Sequence, residues 1–176
     1  LNPEQQPKQE DSLESLKFPS HNLTPLRFHS KSEAVIAQLF ERYIPGWRAT
    51  MGDTIQIPIG KKSVDFLIGD CFIEYHPITI KHDLKSWRAS EIFSRMYREL
   101  KGHKRDTFVE MLTEELGAQY FHRRRQLIDS SPEFKGHDLL LCCNSFDVYK
   151  MAIKRFSDTP PRWATFRAEW EELQRS

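Results

Sequence analysis

The chain lacks most of the features that would assign it to a special class. It has three cysteines in 176 residues. Cys71, Cys142 and Cys143 stand in apolar contexts without CxxC spacing, which argues against a disulfide or zinc framework and for reduced core thiols. No run of about 18 apolar residues occurs, so neither a transmembrane helix nor a membrane partner is expected. The first residues lack the basic-then-apolar order of a signal peptide, which makes the cytoplasm the expected compartment. The first residue is Leu1 rather than Met, so a segment upstream stays open. Net charge is +1, too small to demand a polyanionic partner by itself. No internal repeat is visible.

What is present fits one domain, with 39% hydrophobic and 29% charged residues. Residues 1–28 are rich in Pro, Gln, Ser and charge without a hydrophobic period and read as a flexible leader, leaving 29–176 as the domain. Ser30 stands three residues before Glu33, a capping-box spacing. Val35, Ile36, Leu39, Phe40, Tyr43 and Ile44 follow at helical spacing until Pro45 and Gly46. "TIQIPIG", "KSVDFLIG" and "CFIEYHPI" are three consecutive strand-like runs expected to form an antiparallel meander.

After Pro77 the period turns helical, with Ala89, Ile92, Phe93, Met96, Tyr97 and Leu100 as its stripe. A second helix is expected from about Asp106 to Asp129, interrupted or bent near Gly117. Asp138 to Asn144 reads as a strand covered on both faces. "SFDVYKMAIKRF" reads as a helix begun by a Ser cap, and the segment of Trp163, Phe166 and Trp170 as a last helix. This order implies an α/β sandwich around a mixed sheet.

Charge is uneven. Between Lys81 and Arg105 eight Lys or Arg face three acids, a net of +5, and Arg123, Arg124 and Arg125 follow Tyr120 on the second helix. Solvated helix faces explain such clusters unless an acidic site lies nearby.

Asp65 and Glu74 are carboxylates inside runs that should be buried strands, where an unpaired charge is costly. Alternation puts Asp65 on one face with Leu67, and Glu74 with Phe72 and His76. A hairpin through Gly69 and Asp70 would bring the two acids together. A divalent ion such as Mg²⁺ takes hard oxygen ligands of this kind. The capping-box spacing with Ser30 is by itself enough to explain Glu33. A zinc pair of His76 and His82 has weak spacing and no supporting cysteine.

These residues and the order of elements from Ser30 to Phe156 resemble the PD-(D/E)XK nuclease superfamily. Asp65 takes the place of its first Asp, "EYH" from Glu74 to His76 takes the place of its D/E-X-K triplet, and Glu33 looks like its helix acid. The resemblance implies a restriction-endonuclease-like αβββαβ sandwich with a central mixed sheet and additional helices. It further implies a Mg²⁺ or Mn²⁺ cofactor held by Asp65, Glu74 and Glu33, and hydrolysis of phosphodiester bonds. DNA is then the expected partner, with RNA also open and a homodimer compatible.

His76 stands where the family has Lys. His can act as a base or hydrogen-bond donor but is not an equivalent point charge; Lys62, Lys81 or Lys85 would have to supply that charge, or the chemistry has been lost. "YFHRRRQLID" resembles a Y-x-x-(K/R)-R pattern of some members. Tyr120, Arg123 and Arg124 share a helix face there and are expected, with Lys85, Arg88, Arg95 and Arg98, to contact nucleic acid. The same arginines would also balance nearby acids. The alternative is an inactive nuclease-fold module that binds nucleic acid or a protein.

Overall fold

Ser30 sits in extended backbone, its hydroxyl oxygen accepting the N–H of Glu33 at 3.2 Å while its O–H donates to the Glu33 carboxylate at 3.0 Å. This variant of the capping box starts α1, Lys31–Tyr43, where the sequence predicts a start. The computed structural model describes residues 28, 30–44, 47, 57–59, 62–79, 98, 99 and 105–176. Pro45 and Gly46, residues 1–27 of the leader and most of the helix expected after Pro77 fall outside these; Phe28, placed at the end of the leader, packs half-buried against the core, and Arg98 and Glu99 are helical and exposed.

The strands are β1, Ile57–Ile59; β2, Lys62–Val64; β3, Phe66–Ile68; β4, Cys71–Tyr75; and β5, Asp138–Cys142. β1 pairs antiparallel with β2, while β3, β4 and β5 form a mixed sheet in that order, β3–β4 antiparallel and β4–β5 parallel. The turn between β3 and β4 is Gly69 and Asp70, with Gly69 at φ 60°, a conformation that suits glycine.

The meander is therefore present in its pairings but its middle strand is divided. The chain bends at Asp65, ending β2 and starting β3. At that bend the Asp65 carboxylate accepts the Tyr75 N–H at 2.9 Å across the hairpin, so that a side chain takes the next rung of the ladder.

Helices cover both faces of the mixed sheet. On one face Phe40 of α1 meets Phe66 of β3 edge-to-face at 5.1 Å, an arrangement worth about 0.5–1.5 kcal/mol beyond burial. Ile73, Cys142, Ile153 and Phe166 join that cluster. On the other face Leu67, Phe72 and Leu139 pack with Ile128. Ile128 belongs to α2, Arg105–Asp129. α2 runs without a break through Gly117, where an interruption or bend is expected. A glycine there costs about 1 kcal/mol, which the burial of Leu112, Leu116 and Ile128 along α2 offsets.

The segment after β5 is also revised. Its cap is Asn144, whose Oδ1 accepts the Asp147 N–H at 2.9 Å, not Ser145. The helix that follows, α3, is a first turn Ser145–Asp147, a π-helix Val148–Ile153 and a closing turn Lys154–Phe156. Val148, Ala152 and Ile153 are buried, a spacing that a wider helix keeps on one face. α4, Trp163–Arg175, packs through Phe166 and Trp170 as expected and is tied to α1 by Arg42 with Glu169 at 2.9 Å and by Gln174 with Ser32 at 3.2 Å.

All three cysteines are free, and burial pushes the Cys71 thiol up to about 11. Among the described residues, no helix is long and apolar enough to cross a membrane.

Candidate functional site

Among the described residues the buried charged side chains are Glu33, Asp65 and Glu74, at 8%, 8% and 3% exposure. They come from three elements: the first turn of α1, the bend before β3 and the end of β4. These are the three acids singled out from the sequence.

The register Phe66↔Ile73 carries on to set Asp65 opposite Glu74. The two strands exchange bonds through side chains there. Tyr75 N–H donates to Asp65 Oδ2 at 2.9 Å, and Asp65 N–H donates to Glu74 Oε2 at 3.4 Å. Glu74 Oε1 takes stronger partners from α2, accepting the Tyr120 hydroxyl at 2.5 Å and Arg124 Nη2 at 2.8 Å. Arg124 also donates to the Tyr120 oxygen, from Nε at 3.0 Å and Nη2 at 2.7 Å. Tyr120 and Arg124 lie one turn apart, so one face of α2 delivers both.

Half-buried His76 extends the β4–β5 pairing by one residue, its N–H donating to Cys142 O at 2.9 Å. Its ring stacks on that of Tyr120 at 3.8 Å between centroids and 5° between planes.

The acids are compensated unequally. Burial, then Glu74, then Glu33 push the Asp65 carboxyl up from 3.8 to about 8, against the pull of the Tyr75 N–H and Arg124. The effect of Glu33 at Asp65 links the first turn of α1 to the strand pair. Burial also raises Glu74, opposed by Arg124 and by the Tyr120 hydroxyl. Tyr120 is raised by burial and by Glu74, which keeps its hydroxyl protonated and donating.

Among the described residues, no group of three or more His, Cys, Asp or Glu is gathered as a ready metal cage. Mg²⁺ does not need one, since it commonly takes one or two carboxylates and completes its shell with water and phosphate. The donor chemistry fits: two buried carboxylates opposite one another, with Asp65 in no ion pair among the described residues.

Other expectations divide. Arg123 is exposed, with its guanidinium 5.9 Å from the Tyr120 ring. Arg125 is tied to Asp129 and to the His137 carbonyl, a structural role. Tyr120 and Arg124, expected to meet nucleic acid, both bond to Glu74, and the charge-balancing part of the expectation describes Arg124. Sequence reasoning missed the Tyr120 hydroxyl as a partner of Glu74, and the i,i+4 spacing of Tyr120 and Arg124 was the available signal. Lys81, His82, Lys85, Arg88 and Arg95 lie outside the described residues, as does the side chain of Lys62.

No protein-family model matches the chain, and no curated protein or solved structure matches it either.

Proposed function

We propose that the chain is a divalent-metal-dependent nuclease of the restriction-endonuclease-like kind, acting on DNA. The observation that carries the reading is the burial of Asp65 and Glu74 on paired strands, bridged by the Asp65 N–H to Glu74, with Asp65 pushed up to about 8 by burial, by Glu74 and by Glu33. Structural acids are ordinarily satisfied by cations or several donors, whereas Asp65 has a single backbone N–H from Tyr75 among the described residues. The α/β layering and the order of elements agree with the resemblance in the sequence.

In this reading Asp65 and Glu74 hold Mg²⁺ or Mn²⁺, with Glu33 acting through water. The bound ion supplies positive charge at the phosphate and lowers the pKa of water. His76, beside Glu74 at the end of β4, receives or holds a proton of the attacking water. Exposed Arg123 and Arg98, with the basic window from Lys81 to Arg105, contact phosphates and so favour affinity over sequence preference.

Cleavage of supercoiled plasmid and of labelled single-stranded DNA and RNA in Mg²⁺ or Mn²⁺ tests the proposal. Parent protein should cut at least one substrate, and Asp65→Asn or Glu74→Gln should lose about 100-fold or more. Parent without activity on every substrate, or variants equal to it, would refute the proposal.

A second reading, an inactive nuclease-fold module that binds nucleic acid or protein, has one observation in its favour: Arg124 already gives Glu74 a cation at 2.8 Å. It predicts nucleic-acid or protein binding without cleavage and without a saturable metal site.

A further inference from the structure

We infer that Tyr120 is a positioning residue serving two groups of the proposed centre at once, its hydroxyl aiming Glu74 and its ring holding His76. The inference rests on the nuclease reading and deepens it by naming what sets the geometry of the acid and of the imidazole.

The phenol has one proton and its direction is decided by Arg124. Both Nε and Nη2 of Arg124 donate to the Tyr120 oxygen, at 3.0 and 2.7 Å. The hydroxyl proton is therefore left for Glu74 Oε1, 2.5 Å away. That same oxygen takes Arg124 Nη2 at 2.8 Å. Oε1 is thus occupied from the α2 side, and Oε2 is the oxygen turned toward Asp65, meeting among the described residues its N–H at 3.4 Å. A carboxylate held this way offers Oε2 to whatever Asp65 also binds.

The second half is the ring. His76 follows Glu74 by two residues, and its imidazole lies parallel to the Tyr120 ring at 3.8 Å. Face-to-face contact over a whole ring limits rotation of the imidazole, which a backbone bond from His76 N–H to Cys142 does not do by itself. Tyr120 lies on α2 while Glu74 and His76 lie on β4 or just after it, so one side chain fixes the helix to both reacting groups. Arg124 is engaged in this arrangement, and Arg123, one position earlier, is exposed.

Tyr120→Phe removes the hydroxyl and keeps the ring, whereas Tyr120→Leu removes both. Mn²⁺ affinity without substrate and the Mg²⁺ dependence of cleavage are the readouts. Tyr120→Phe should weaken Mn²⁺ binding and raise half-saturating Mg²⁺ by about tenfold, while the rate at saturating metal stays within about threefold of parent. Tyr120→Leu should lose about tenfold or more of that saturated rate in addition. The ring contact is read independently by NMR, with the His76 ring protons shifted upfield in both parent and Tyr120→Phe.

A Tyr120→Phe protein with parental Mn²⁺ affinity and Mg²⁺ dependence would overturn the hydroxyl role, since a merely structural role would lower only the melting temperature. An unshifted His76, or a Tyr120→Leu saturated rate equal to that of Tyr120→Phe, would overturn the ring role. A parent that neither binds Mn²⁺ nor cuts would sink the nuclease reading itself.

Discussion

Replacing Asp65 by Asn should stabilise the protein at neutral and basic pH when no divalent metal is present. Asn keeps an oxygen to accept the Tyr75 N–H, now at 2.9 Å, but cannot ionise. In the folded chain, burial and the charges of Glu74 and Glu33 lift the Asp65 carboxyl to about 8, against about 3.9 when unfolded. Folding then takes up a proton over that interval. Below about pH 4 the group is protonated in both states and costs nothing. As pH rises the unfolded chain ionises first, so stability falls until about pH 8 and then levels off. The full shift corresponds to at most about 6 kcal/mol, and because Asp65 titrates together with Glu74, part of it belongs to the pair.

Urea unfolding in EDTA measures the effect directly. The advantage of Asp65→Asn over parent should grow by about 2–4 kcal/mol between pH 5 and pH 8. Mg²⁺ added at pH 8 should return stability to the parent alone. An advantage that stays constant or shrinks over that range would refute the argument that Asp65 is buried without adequate compensation.

Arg124→Met should destabilise the metal-free protein by about 3–5 kcal/mol in the same assay, because it leaves Glu74 buried without its cation; a loss below about 1 kcal/mol would mean that the pair is not what holds Glu74. Arg98→Glu and Arg123→Glu should each weaken DNA binding and lower the slope of log affinity against log salt by about 0.9 or more per lost phosphate contact. Unchanged affinity at low salt in both would return these arginines to solvent. His76→Ala should lose about 100-fold of cleavage in saturating metal while His76→Lys retains it, and equal rates for His76→Ala and parent would remove His76 from the chemistry.

The parts of the fold that a local pattern encodes were legible. Ser30 and Glu33 mark the start of α1 because capping is decided within four residues. The alternation along these strands sorts Leu67 and Phe72 onto one sheet face and Phe66 and Ile73 onto the other, both of them buried, because the pleat has a period of two. What escaped depends on competition between local and distant bonds. Asp65 looked like a strand residue, but its side chain takes the Tyr75 N–H where the chain bends. Gly117 looked like a break, but burial on either side of it along α2 outweighs one glycine. Asn144 and Ser145 are both good caps, and one residue of difference is decided by the bond to Asp147.

The candidate site was legible as a set of acids, since charged residues within apolar strands stand out in any sequence. Its wiring was not. In "YFHRRRQ" the i,i+4 spacing sets Arg124 beside Tyr120, but that the pair meets a carboxylate about 50 residues earlier, while Arg123 is exposed, depends on where α2 lies in the fold.

Titration calorimetry of Mn²⁺ into the parent protein and into an Asp65→Asn/Glu74→Gln double variant at pH 7.5 tests the central claim most directly. The account predicts a saturable site in the parent that is absent from the double variant while both remain folded. Equal binding by the two proteins, or none by either, would contradict it.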